Sequence, residues 1–429
     1  MLMRIVLFRN RRVVSASVVT LAVLGVEPAA GQWRQWGGPN RDFKVEASGL
    51  ADEWPETGPA RLWRRELGDG YSSIVVDDGM LYTMHRRGTD EFTVALDAQT
   101  GRTVWEHANP APRRTGTEGD RVAPGPNSTP LVRGDRLYSI GTLSVIHCFR
   151  KKSGEVLWKR DLIAELGGRR YPWGYAASPI AYKNLIITTV GREHDESRDT
   201  GPTGAPTLVA LDQENGHIIW KSQDYAIRHS SPILIRFGGQ DQIVLLLQQG
   251  VIGVNPDDGT LLWQHGVSDA HFWDMTPLWV EGNVLIGASG EETRAIRLTK
   301  EGEKTVASEL WSSRKLRFPQ NNPVVVDGYL YGSSGTVYQR SSLLCADVKT
   351  GKRAWAKRGF ALSTCVYADG KLIILDENGQ LGLATAAPEG LTVHSTCRVA
   401  ERESWTAPTL VGSTLYVRDR RHIMALDLG

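Results

Sequence analysis

The feature that most constrains this chain is a phrase it repeats. Val94 to His107 reads VALDAQTGRTVWEH, and variants of its core recur along most of the sequence. Trp63, Trp105, Trp158, Trp220, Trp263, Trp311 and Trp355 close successive copies, at separations of 42, 53, 62, 43, 48 and 44 residues. Eight positions before most of them stands a turn-opening residue: Asp97, Arg150, Asp212, Asn255 or Asp347. Four positions before stands Gly101, Gly154, Gly216, Gly259 or Gly351. An Asp or Asn side chain caps a tight turn, and Gly supplies positive φ. Each copy therefore reads as strand, turn, strand, with Trp on the second strand.

A second phrase opens each copy, as in YSSIVVDDGMLYT from position 71, NSTPLVRGDRLYS from 127 and QNNPVVVDGYLYG from 320. Pro130, Pro179, Pro232, Pro277, Pro323 and Pro408 mark its register, and Cys365 takes the Pro slot of a degenerate copy. Each opening is two short strands around a polar or Gly turn. Four short strands per unit of about 45 residues predict a propeller blade. The openings count eight. MALDLG at 424–429 begins a third strand and stops, while ARLWRREL at 60–67 is an outer strand with no blade before it. The expectation is an all-β, eight-bladed β-propeller of four-stranded antiparallel blades over 61–429, closed by residues near 61–67. Seven blades is the rival count, because copy five has Glu303 at the turn slot without Thr-Gly and copy seven has no Trp.

Residues 1–31 read as a signal peptide. Arg4, Arg9, Arg11 and Arg12 form a basic start, Val13 to Val26 is a short apolar run, and Ala29-Ala30-Gly31 offers a cleavage site. The expected product is an exported, periplasmic or extracellular, soluble monomer without a transmembrane segment, in which 32–60 form an N-terminal extension. A formal net charge of +2 gives no support to nucleic-acid binding. The four cysteines form no CxxC, and Cys148 and Cys345 hold a small, buried slot of the repeat, so they read as packing residues. No GxSxG, P-loop, HExxH or GxGxxG is present.

Strand order in a four-stranded meander assigns loops to faces. The long segments 107–127, 160–176 and 192–206 all fall on one face, and function concentrates in such loops. The position three before the Pro slot lies where each innermost strand leaves that face. Around the ring it reads Tyr71, Asn127, Ala176, His229, Asp274, Gln320, Leu362 and Trp405. Tyr71, Asn127, His229, Asp274, Gln320 and Trp405 are thus candidate ligand residues at a channel mouth. The bland alternative is that they hydrate the channel and satisfy backbone groups. His229 and Asp274, from neighbouring blades, are a candidate acid–base pair. Arg113, Arg114, Trp173, His271 and Trp273 are candidates for contacting a partner. HDESRD at 194–199 lacks the oxygen spacing of a Ca²⁺ loop and reads as a solvated acidic loop. No catalytic residue and no metal ligand is assigned.

The A-x-D-xx-TG-xxx-W phrase, together with WGGPNRDF at 36–43, resembles the pyrroloquinoline quinone (PQQ) repeat family, over residues 33–429. The start resembles exported bacterial members in particular. The resemblance implies that the repeat tryptophans, Trp63 included, dock between neighbouring blades. It also implies a divided function. Some members are quinone-dependent alcohol or sugar dehydrogenases; others, such as the propeller lipoprotein of the outer-membrane β-barrel assembly machine, bind no cofactor. The adjacent Cys pair of many alcohol dehydrogenases is absent, as is a lipidated Cys after the apolar run. The Glu, Asn and Asp set those enzymes use for Ca²⁺ has no assignable counterpart. The expected function is a non-catalytic exported module that binds a protein or envelope component without a cofactor. A PQQ- and Ca²⁺-dependent dehydrogenase is the alternative, and a sugar or polyphenol binder using the aromatic mouth is the third reading.

Overall fold

The computed structural model describes residues 32–112, 124–168, 173–190, 204–248, 250–266, 275–288, 292–318 and 321–429. Eight separate four-stranded sheets make up the ring. Blade 1 holds β2 to β5 (Val75–Asp77, Met80–Arg87, Asp90–Asp97 and Thr103–Pro110). Blades 2 to 7 follow in chain order over 131–161, 180–222, 233–266, 278–313, 324–357 and 363–398. Within each, neighbours in sequence are antiparallel neighbours in the sheet. The inner strands are buried on both faces and read as apolar runs; the outer strands alternate, as in the exposed–buried pattern of Thr103–Pro110.

Blade 8 contains three strands from the end of the chain and one from near its start. β1 (Ala60–Glu66) pairs antiparallel with β32 (His422–Asp427), from Ala60 opposite Asp427 to Glu66 opposite His422. This is the closure expected from the sequence, and the two weak copies are complete blades. A ring sealed this way has no exposed terminal blade.

Trp220 shows how blades join. Its indole Nε1 donates to the Pro256 carbonyl of the next blade at 3.1 Å, and its ring lies over Gly259. A Cβ at Gly259 would sit 2.7 Å from that ring, and φ there is +76°. Only glycine meets both demands. The same dock joins Trp63 to Ala98 and Gly101, Trp105 to Lys151 and Gly154, Trp158 to Gln213 and Gly216, and Trp311 to Val348 and Gly351. Trp355 keeps the bond, to the Ala387 carbonyl, without a glycine beneath it.

Trp263 departs from this pattern. Blade 5 has no Thr-Gly turn and instead extends a long hairpin, Thr293–Glu301 with Lys304–Ser313. Trp263 Nε1 donates within its own blade, to Gln242 Oε1 at 2.7 Å, while the ring is buried against Leu285, Ile296 and Leu298 of blade 5. Blade 7, whose outer strand lacks Trp, is braced by Trp54, which is buried and bonds through its amide to Ser395 Oγ.

The segment before β1 crosses the central channel. Trp33 forms a bridge with Val76 of blade 1, and the Arg34 carbonyl accepts from Val132 of blade 2. Trp36 Nε1 donates to Thr276 Oγ1 of blade 5, and Phe43 and Val45 exchange backbone bonds with Tyr367 of blade 7. Gly37 and Gly38, both at positive φ, turn the strap within the channel; a Cβ on Gly37 would lie 2.8 Å from the Arg41 backbone. Arg41 is buried and solvated by protein alone: its guanidinium donates to the Ser178 and Pro179 carbonyls of blade 3. Burial lowers its pKa to about 9, which still leaves it charged at neutral pH.

Candidate functional site: an aromatic cup above the strap

The strap divides the channel. On the short-turn face lies a vestibule of about 850 Å³, bordered by Arg41, Asp42, Lys44, Glu281, Asp327 and Lys349 among others. On the long-loop face lies a cup of about 600 Å³ whose floor includes Trp36 and Phe43 of the strap.

One wall of the cup is aromatic. Tyr71 and Trp405 pack at a tilt, 4.9 Å between ring centres and 33° between planes, and Tyr338 meets Trp405 at 5.4 Å. Charged residues behind the wall hold these rings. Glu377, buried, accepts from Trp405 Nε1 at 3.2 Å and from the Tyr338 amide. Tyr338 OH donates to Glu403 at 2.6 Å, and Arg420 joins Glu403 to Asp69. The Arg402 guanidinium lies 4.7 Å above the Tyr338 ring. Tyr338 and Glu403 both have positive φ, 61° and 72°, a strained conformation for such residues that clusters at working sites. Burial raises the Tyr71 phenol far above its ordinary pKa, so it stays protonated.

The rest of the described lining mixes apolar groups, Ala176, Val337, Leu362, Cys365 and Ala407, with Arg228, His229 and neutral polar side chains: Asn127, Ser178, Ser231, Thr276, Asn321, Asn322, Ser363, Thr364 and Ser404. No carboxylate lines the cup among the described residues. Asn127 Oδ1, Asn321 Oδ1 and Thr364 Oγ1 are buried atoms without a hydrogen-bond partner. Both Asn321 Nδ2 protons are engaged, by the Ser333 and Ser363 carbonyls at 2.8 and 2.9 Å, which fixes which way the amide points.

Of the residues singled out from sequence, Tyr71, Asn127, His229 and Trp405 line this one cup, as do Ala176 and Leu362 from the same register. Trp173 lies at its rim, 37% exposed, and its carbonyl accepts from Asn127 Nδ2. Asp274, Gln320, Arg113, Arg114, His271 and Trp273 lie outside the described residues, and with Asp274 so does the proposed pairing to His229.

Two groups of residues escaped the sequence reading. One is a belt formed by the position just before the Pro slot: Ser73, Thr129, Ser178, Ser231, Thr276, Asn322 and Thr364. Thr129 Oγ1 accepts from the Ser73 amide, Ser178 Oγ from Thr129, Ser231 Oγ from Ser178, and Asn322 Oδ1 from Thr276, so these side chains stitch inner strands of successive blades. Repetition of Ser, Thr or Asn before Pro130, Pro179, Pro232, Pro277 and Pro323 was the available signal. The other is Tyr338 with Glu377. They sit in loops between second and third strands, where no repeated register points to them.

Fold and site together define an eight-bladed propeller of the PQQ-repeat type, with a strapped channel and a cup on one face. Comparison with known proteins places it further. A family model described as outer membrane protein assembly factor BamB matches residues 89–357, more than half of the chain, and the chain belongs to this family. A quinoprotein ethanol dehydrogenase from Pseudomonas putida is 27% identical over 165 residues, which is 37% of this chain but only 24% of that enzyme's length. Among solved structures, BamB from Moraxella catarrhalis aligns with TM-score 0.57 and 11% identity, over 86% of this chain and 100% of that one. The quinohemoprotein alcohol dehydrogenase ADHIIG from Pseudomonas putida aligns with TM-score 0.65 and 12% identity, over 93% and 80%. At such identities these structures speak for the fold.

Proposed function

We propose that this protein is an exported, non-catalytic propeller whose long-loop face and cup bind a partner in the cell envelope. The observation that carries the reading is the chemistry of the cup. Its aromatic wall and neutral amides and hydroxyls suit recognition. Membership of an assembly-factor family supports the same reading. No helix among the described residues is long and apolar enough to cross a membrane.

The second reading, a quinoprotein dehydrogenase, draws on the ethanol dehydrogenase match. PQQ is a tricarboxylate, and Ca²⁺ takes oxygen ligands that usually include carboxylates. The described lining offers Arg228 as a cation and no carboxylate, and no cluster of three His, Cys, Asp or Glu occurs among the described residues. These residues do not fit that pair of groups. The test is titration of the purified chain with PQQ and Ca²⁺, followed by absorbance and melting temperature, with dye-linked oxidation of ethanol and glucose. No saturable response is expected; dye reduction would overturn the proposal.

A further inference from the structure

We infer that the cup is a binding site for an uncharged saccharide; the inference rests on the binding-module reading and names its ligand. A pyranose ring has two kinds of surface. Its C–H faces are apolar and stack on aromatic rings, and its rim carries several O–H donors. The cup presents a partner for each. Tyr71, Trp405 and Tyr338 form a continuous aromatic wall, with Trp173 at the rim. Within the same cup, Asn127 Oδ1, Asn321 Oδ1 and Thr364 Oγ1 accept no hydrogen bond. Asn321 is only 5% exposed, so bulk water does not compensate it. A buried unpaired acceptor is costly; the three side chains line the cup with these oxygens covered, so a small rotation that uncovers an oxygen lets a ligand hydroxyl donate to it.

Charge narrows the choice of ligand. A phosphorylated or carboxylated sugar needs a cationic clamp, and a cationic ligand needs carboxylates. The described lining has no carboxylate, and its uncharged side chains far outnumber its cation, Arg228. The volume, about 600 Å³, falls in the middle of the range for small-molecule sites. The strap closes the bottom of the cup, so a ligand enters from the long-loop face and its free end points outward. A monosaccharide or the end of a longer glycan presents the same chemistry here.

The wall is also held in place at a conformational cost. Tyr338 is 44% exposed yet fixed at positive φ, with its amide on Glu377 and its hydroxyl on Glu403. Glu377 acts through Trp405 and Tyr338 and is a positioning residue.

The experiment is a binding titration of the full chain by intrinsic tryptophan fluorescence and calorimetry. The probes are glucose, N-acetylglucosamine, cellobiose and maltotriose for neutral saccharides, glucose 6-phosphate for a charged one, and catechin for an aromatic polyol. Saturable binding of at least one neutral saccharide is expected. Trp405→Ala should weaken it about tenfold or more, and Trp405→Phe should restore most of it. Thr364→Val supplies the control for folding. It removes an unpaired hydroxyl, so it should keep or raise the melting temperature while weakening the saccharide severalfold. If monosaccharides and oligosaccharides bind equally, the site takes a free ring; preference for the oligomers marks a glycan end. Catechin or glucose 6-phosphate binding without any neutral saccharide would overturn the inference, as would saccharide binding untouched by Trp405→Ala and Thr364→Val. Failure with every saccharide, alongside absence of dye reduction with PQQ and Ca²⁺, sinks the ligand and leaves the binding module. Dye reduction sinks the module itself.

Discussion

The blade junctions and the mouth of the cup use the same aromatic residues in different ways. At the junctions, Trp105, Trp158 and Trp220 are buried, each flat on a glycine and tied to a backbone carbonyl of the next blade. At the mouth, Trp405 and Tyr338 are partly exposed and tied to the carboxylates Glu377 and Glu403. Backbone partners are available in every blade, so the junction is repeated. The carboxylate partners at the mouth come from no repeated register, so this arrangement is not repeated around the ring. The ring is held by repeated contacts, and the mouth is built from residues that break the repeat.

Removal of residues 32–67 should break this comparison most severely, because it takes the closing strand and the strap together. The expected outcome is loss of a cooperative melting transition by circular dichroism. A truncated chain that melts like the parent would show that the closure contributes nothing.

Next in size come the junctions themselves. Trp220→Ala should cost roughly 3–5 kcal/mol in urea unfolding, as for a large buried aromatic. Gly259→Ala, its partner, should cost about 1–3 kcal/mol from the forced contact and the positive φ. The two changes address one contact, so the double variant should lose less than their sum. Full additivity would place Trp220 outside the dock.

A smaller effect appears with acid. His147 is buried beside Phe149 and His107 at the junction of blades 1 and 2. Burial lowers its pKa to about 4, and the nearby His107 and Lys159 push in the same direction. In the unfolded chain it titrates near its usual value of about 6.5. Between these values the unfolded chain binds more protons, so stability falls as pH drops through that window. His147→Gln should therefore lose about 2 kcal/mol less than the parent between pH 7 and pH 4.5. Equal losses would mean that His147 is not held neutral.

The mouth should show the smallest change in stability. Trp173→Ala at the rim should shift it by about 0.5 kcal/mol or less, and should weaken saccharide binding if the inferred site is right. A large destabilisation there would make the rim a structural element and erase the contrast.

The junctions were legible in the sequence because they recur. Asp97 Oδ1 accepts from the Thr100 amide and hydroxyl, and Asp347 from those of Thr350, as an Asx turn in the repeat implies. Trp263 was read as one more copy, and the missing Thr-Gly of blade 5 was the clue to its different bond. The cup was half legible. Tyr71, Asn127, His229 and Trp405 share a register, and a register is visible in one dimension. Tyr338 and Glu377 reach the mouth from loops of different blades. Their meeting is fixed by the curvature of the ring, which no local pattern records. WGGPNRDF, in the strap, carries no strand periodicity, and no local pattern in it marks a segment that crosses the channel.

The pairing of β1 with β32 also bears on how the ring closes during synthesis. Ala60 leaves the ribosome before its partner Asp427, with about 366 residues between them. Contacts so distant in sequence form late and slowly, since closing a loop costs entropy that grows with its length. Until then the outer edge of His422–Asp427 is an open strand, able to pair with another molecule. A chain permuted to begin at residue 68, with 32–67 joined after 429, turns that contact into a local one. It should reach the same ring faster, with fewer aggregates on the way.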